Sequence, residues 1–69
     1  MQANSGKLLE GLYNIEQNRK VRMINYLDLK VSERDWHGVA DAAMDLREID
    51  TRIALLEKLK NDNSTTVDR

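Results

Sequence analysis

Residues 35–56 read DWHGVADAAMDLREIDTRIALL, and the spacing inside this stretch decides the fold. Val39, Ala42, Leu46, Ile49, Ile53 and Leu56 recur at alternating intervals of three and four. That interval keeps the six side chains on one stripe of an α-helix, the pattern of a heptad seam facing a partner helix. Asp35 just ahead of the stripe is a candidate N-cap, because a short side-chain oxygen can accept from the free N–H groups of the first turn. Ser32 with Asp35 offers a competing capping-box start one turn earlier. Glu48 and Arg52 are spaced for an i,i+4 ion pair, and Lys58 and Lys60 suit the negative end of the helix dipole.

Working back toward the N-terminus, a first helix is expected from about Lys7 to about Ser32. Its apolar residues do not form one stripe. Ile24, Leu27 and Val31 make one face, and Leu12, Ile15, Met23 and Tyr26 make another. A helix that is apolar on more than one face has more than one neighbour. Gly11 lowers helix propensity by about 1 kcal/mol relative to alanine and marks a possible bend. The link around Glu33–Asp35 is short enough to force the two helices antiparallel. The expected fold is therefore all-α: an antiparallel two-helix hairpin, residues 7–60, assembling into an oligomeric helical bundle. Residues 1–6 read as a flexible leader. Residues 61–69, rich in Asn, Asp, Ser and Thr, read as a disordered tail.

Composition narrows the rest. Sixty-nine residues make one domain, and so short a chain buries too little apolar surface to be comfortably stable alone. With no cysteine and one histidine, disulfides and structural zinc are closed as remedies, which leaves self-association into a dimer or tetramer. The net charge of −1 argues against a nucleic-acid-binding domain, which normally carries a basic excess. The first residues contain no apolar run suited to a signal peptide or a membrane span, so a cytoplasmic protein without membrane contact is expected. Asn63-Ser64-Thr65 matches a glycosylation sequon, which has no meaning without secretion.

Three constellations could carry chemistry. Arg19, Arg22 and Tyr26 share one face of the first helix, and two guanidinium forks beside a ring suit a phosphate and a base. The hairpin places Arg47 level with Arg22, so Arg47 is a candidate to join them, with Asp45 a candidate acceptor for a base amine. Salt bridging of these arginines to Asp45, Glu48 and Asp50 is the simpler account and outweighs ligand binding on residue type alone. Secondly, Gly38, Ala40, Ala42 and Ala43 line the start of the second helix beside Trp36 and His37. Small residues there permit tight helix crossing or leave room for a ligand. Trp36 is expected to staple onto the first helix near Val31 or Leu27, with base stacking the lesser alternative; His37 is a candidate cap or ligand donor. Thirdly, His37, Asp41, Asp45 and Glu48 have metal-compatible spacing, but a solvated acidic face explains them better. No nucleophile–base pair, P-loop or dinucleotide turn is present, so no enzymatic activity and no cofactor are expected.

The run Asp35-Trp36-His37-Gly38-Val39-Ala40-Asp41-Ala42-Ala43-Met44-Asp45-Leu46-Arg47-Glu48 resembles a segment of short helical proteins encoded by bacteriophages. That family includes anti-CBASS sponges, which sequester the cyclic dinucleotide signals of bacterial immunity. The resemblance spans roughly residues 20–60 and rests mainly on this one run. It implies a helical homo-oligomer with ligands held between subunits, acting in the host cytosol by binding without chemistry. It transfers no ligand contact residue by residue. A helical module that docks on a host protein, using the second apolar face of the first helix, is the alternative.

Overall fold

The computed structural model describes the backbone of residues 2–66 and the side chains of residues 6–62. Two helices account for nearly all of it: α1, Gln2–Ser32, and α2, Trp36–Thr66, each of 31 residues. They pack against each other as an antiparallel hairpin measuring 53 × 16 × 11 Å. The molecule is one layer thick, and each helix has one neighbour.

Both helices outrun the sequence expectation. α1 starts at Gln2, where a polar leader is expected through residue 6, and α2 continues to Thr66, past the expected tail boundary at residue 61. Neither end contains proline, so nothing interrupts the hydrogen-bond ladder once it has started. α1 also passes through Gly11 unbroken. The sequon side chains and residues 67–69 lie outside the described residues.

The turn is built from backbone geometry rather than glycine. Arg34 adopts a left-handed conformation at φ 58°. Its N–H donates to the Val31 carbonyl at 3.0 Å, and the Asp35 N–H donates to the Lys30 carbonyl at 2.9 Å. These two bonds form a Schellman cap that satisfies the last free carbonyls of α1. Asp35 then caps α2, its Oδ1 accepting from the Gly38 N–H at 3.0 Å, as the sequence suggests. Ser32 belongs instead to α1, where its hydroxyl donates to the Leu29 carbonyl at 2.7 Å. Lys30 bridges Glu33 at 3.2 Å and Asp35 at 3.6 Å and so clamps the turn from α1. Gly38 fits closely here: a Cβ would lie 2.9 Å from both Asp35 Oδ2 and the Lys30 side chain, so these side chains would have to shift.

The α2 seam is as the heptad spacing predicts. Ala42, Ile49 and Ile53 are 1%, 4% and 7% exposed, with Val39, Leu46 and Leu56 half-buried. The α1 side of the seam differs from the expected two apolar faces. Its half-buried positions are Leu9, Tyr13, Glu16, Gln17, Lys20, Met23, Leu27 and Lys30, and all but Gln17 form a heptad stripe with three charged members. Met23 and Leu27, assigned by sequence to different faces, both lie on it. Ile24 and Val31 flank it on one side, and Leu12, Ile15 and Tyr26 on the other; all five are exposed. Lys20 pairs with Asp50 at 2.8 Å, and Arg52 Nε sits 3.1 Å from Glu16 Oε1. Arg52 therefore reaches across to α1 rather than back to Glu48. The contact with Glu16 is electrostatic, without hydrogen-bond alignment at that nearly buried oxygen. Near the open end, the Tyr13 hydroxyl is 3.3 Å from Glu57, and the Lys60 ammonium lies 5.1 Å above the Tyr13 ring. Neither helix, over the described residues, is long and apolar enough to cross a membrane.

Candidate functional site

A groove lies between the helices on one face of the hairpin. It has a volume of about 440 Å³. Arg19, Arg22, Met23 and Tyr26 of α1 form one wall, and Asp45, Glu48, Ile49 and Arg52 of α2 form the other. Met23 and Ile49 belong to the seam and supply an apolar floor. The walls come from the next position outward on each helix and are open to solvent.

Four of the seven sequence candidates meet here: Arg19, Arg22, Tyr26 and Asp45. The cationic pair and the ring sit on one wall, and the carboxylate faces them from the other. Arg19 is 4.0 Å from Glu16 within its own helix. Among the described residues Arg22 has no ion pair, although inter-helix salt bridging was the simpler expectation for it. Asp50, one of its expected partners, is taken by Lys20. One face of the Tyr26 ring is occupied by the Lys30 ammonium, 5.1 Å from the ring centre, a cation–π contact.

The other three candidates lie elsewhere. Arg47 is level with Arg22, as the hairpin register requires, but it lines the other face of the hairpin with Leu27, Leu46, Asp50 and Thr51 and does not enter this groove. Levels along a hairpin follow from turn position, whereas facing depends on which stripe is the seam. With the seam on Leu46, Ile49 and Ile53, Arg47 is turned away. Trp36 and His37 stay at the turn. Trp36 is 63% exposed and does not staple onto α1, because Gly38 and Val39 are the first α2 residues to enter the seam. His37 Nε2 lies 3.5 Å from Asp41 in an open surface pair.

Sequence reasoning did not assign Glu48 or Arg52 to this site. Their signal was present: Asp45, Glu48 and Arg52 follow the 4–3 interval one position out from the seam, as Arg19, Arg22 and Tyr26 do on α1.

Two groups at the turn are electrostatically tuned. The Lys30 ammonium titrates above the usual lysine value, first because it hydrogen-bonds Glu33 and then through the charge of Glu33. The Asp35 carboxyl titrates below the usual aspartate value, chiefly because the Gly38 N–H donates to its charged form. Both are solvent-accessible and structural. Among the described residues no group of three or more His, Cys, Asp or Glu side chains is placed to hold a metal ion. What the groove offers is three guanidinium groups, two of them beside a ring on the wall opposite the carboxylates. That arrangement can hold an anion carrying a flat, amine-bearing group. No family model matches the chain, and no curated protein or solved structure matches it either.

Proposed function

We propose that the chain is a non-catalytic, oligomeric nucleotide-binding protein. It binds and sequesters cyclic dinucleotide immune signals in the host cytosol, counteracting bacterial CBASS defence. The observation that carries this reading is Arg22, which has no ion pair among the described residues of the single hairpin and lies beside Arg19 and Tyr26 in the inter-helix groove. The resemblance of residues 35–48 to the phage family selects a cyclic dinucleotide among anionic ligands. Two phosphates need cationic forks, and bases need a ring and an acceptor; Arg19 and Arg22 supply the first, Tyr26 and Asp45 the second.

Isothermal titration with a panel of cyclic dinucleotides tests the reading. Binding is expected, and the ligand should be recovered chemically intact after the protein is denatured. Arg22→Ala should weaken binding roughly ten- to a hundredfold, the equivalent of about 1.5–3 kcal/mol for a charge-assisted bond. Arg22→Lys should rescue only part of it, since lysine keeps the charge but loses the fork. No binding across the panel would refute the proposal, as would recovery of a cleaved ligand.

The exposed apolar residues of α1 support a second reading, in which the hairpin docks on and modulates a host protein. Leu8, Leu12 and Ile15 are all exposed on one stripe. An absence of nucleotide binding together with saturable binding of a purified host protein through that stripe would favour it.

A further inference from the structure

The groove is the middle of a longer surface. On α1 the exposed positions Leu8, Leu12, Ile15, Arg19, Arg22, Tyr26 and Leu29 recur at intervals of four and three, a second heptad stripe one residue back from the seam. On α2 the exposed positions Asp41, Asp45, Glu48, Arg52, Leu55 and Leu59 do the same. The groove lining shows that both stripes lie on one face. A second unbroken 4–3 stripe beside a seam is what a helix needs to pack on two neighbours at once.

We propose that a second copy of this chain covers this face, related by a two-fold axis parallel to the helices. Each α1 then lies antiparallel on α2 of the other copy, giving an all-antiparallel four-helix bundle with both turns at the same end.

Register and charge select this arrangement. Lys20 with Asp50, Glu16 with Arg52 and Tyr13 with Glu57 fix which residues of the two helices are level. A two-fold parallel to the helices preserves those levels. Leu8, Leu12 and Ile15 then meet Leu55 and Leu59 of the other copy, and Arg22 meets its Asp45 and Glu48. A two-fold across the helices, centred on the stripe, instead sets Arg19 against its own copy and the acids against leucines. Only the first sets Leu8, Leu12 and Ile15 against leucines and Arg22 against acids, with Leu29 level with Asp41 and Arg19 between Glu48 and Arg52 as its less matched positions.

The area permits it. The chain exposes 5566 Å², against about 4450 Å² expected of a compact monomer of its mass. The excess, about 1100 Å² over the whole elongated hairpin, leaves room for the roughly 800 Å² that each partner of a specific interface commonly buries.

This assembly specifies the oligomer that the nucleotide reading leaves open, and it does not depend on the ligand. A bound phosphate would exchange with the carboxylates facing Arg22, so the test is made without nucleotide. Sedimentation equilibrium of the full chain should give a dimer or a multiple of it. Arg22→Glu and Glu48→Arg should each weaken association at least tenfold, and the double variant carrying both should recover it. Leu12→Asp, at a site open in the single hairpin, should weaken it as strongly. Where a freed hairpin unfolds, helicity against protein concentration reads the same equilibrium. A folded wild-type monomer would overturn the proposal. So would single reversals that leave association unchanged, or a double reversal that fails to restore it.

Discussion

The two sides of the hairpin seam are built from different chemistry. α2 contributes Val39, Ala42, Leu46, Ile49, Ile53 and Leu56, all apolar, and the three most buried side chains of the described core are its own. α1 faces them with Glu16, Lys20 and Lys30 among its seven inward positions, while its leucines and isoleucines at positions 8, 12, 15, 24 and 29 remain exposed. A helix usually places its most apolar stripe on its nearest partner. α1 instead spends polar residues on the intramolecular contact and keeps apolar ones for its flanks. The difference leaves α2 supplying the apolar side of the intramolecular contact and α1 with most of its large aliphatic side chains open to solvent.

The contrast makes its largest prediction in the seam. Ile49→Ala should cost about 2–5 kcal/mol, since it removes a nearly buried side chain and leaves a cavity. Ile53→Ala belongs in the same range, whereas Leu46 and Met23, both half-buried, should cost less. Thermal melts at matched protein concentration measure this, because the stability of a self-associating chain depends on concentration. Equal costs for Ile49→Ala and Met23→Ala would erase the asymmetry between the helices.

A smaller effect is expected at the polar part of the seam. The Glu16 side chain is 13% exposed and meets Arg52, itself 44% exposed. Arg52→Ala leaves the carboxylate only the longer contact with Arg19, at 4.0 Å, and should cost about 1–2 kcal/mol, a buried-charge penalty reduced because the arginine is open to solvent. Glu16→Leu removes the need for a partner and should be neutral or stabilising by about 1 kcal/mol. If Glu16→Leu proved as damaging as Arg52→Ala, the charges would be holding the hairpin's register.

The same contrast explains what the sequence made legible. The α2 seam could be read because its hydrophobic pattern and its packing coincide, and the turn because Asp35 is a capping residue at the right place. The α1 seam could not, because hydropathy ranks Leu12, Ile15 and Ile24 above Glu16 and Lys20, and nothing in α1 alone reverses that ranking. The signal lies in pairing: Glu16 and Arg52, and Lys20 and Asp50, stand at matching distances from the turn with opposite charge. Arg19, Arg22, Tyr26 and Asp45 could be assembled from spacing and level. Arg47 was misplaced because level does not give facing, and facing needed the α1 seam. The Schellman turn was hidden because arginine, unlike glycine, does not advertise a left-handed conformation.

That turn supplies the next prediction in size. Arg34 is a non-glycine residue at φ 58°, a conformation that crowds its Cβ against the backbone. Arg34→Gly should raise stability by about 1 kcal/mol at most, because glycine's extra freedom in the unfolded chain offsets part of the relieved crowding. A melt of this variant beside the wild type measures it. A clear loss of stability would mean that the arginine side chain makes a contact worth more than the strain.

The smallest expected effect is the pH dependence of the turn. The Asp35 carboxyl titrates below its unfolded value, held there first by the Gly38 N–H and then by Lys30. Its contribution is therefore complete above the unfolded carboxyl pKa, near 4, and is lost as pH falls through the lower folded value. Lys30 titrates above its unfolded value because of Glu33. Its contribution is complete below about pH 10, where the unfolded lysine is still charged, and is lost as pH rises through the higher folded value. Both contributions are present at neutral pH and fail at opposite ends of the scale. Asp35→Asn separates them, because asparagine caps a helix as well as aspartate but carries no charge to lose. All other carboxylates are common to the two proteins, so the difference between their acid melting curves isolates Asp35. The wild type should lose more stability than the variant below pH 4, while the alkaline limbs should stay close, because Lys30 keeps Glu33 in both. Parallel acid limbs would show that the Asp35 charge adds nothing to its cap.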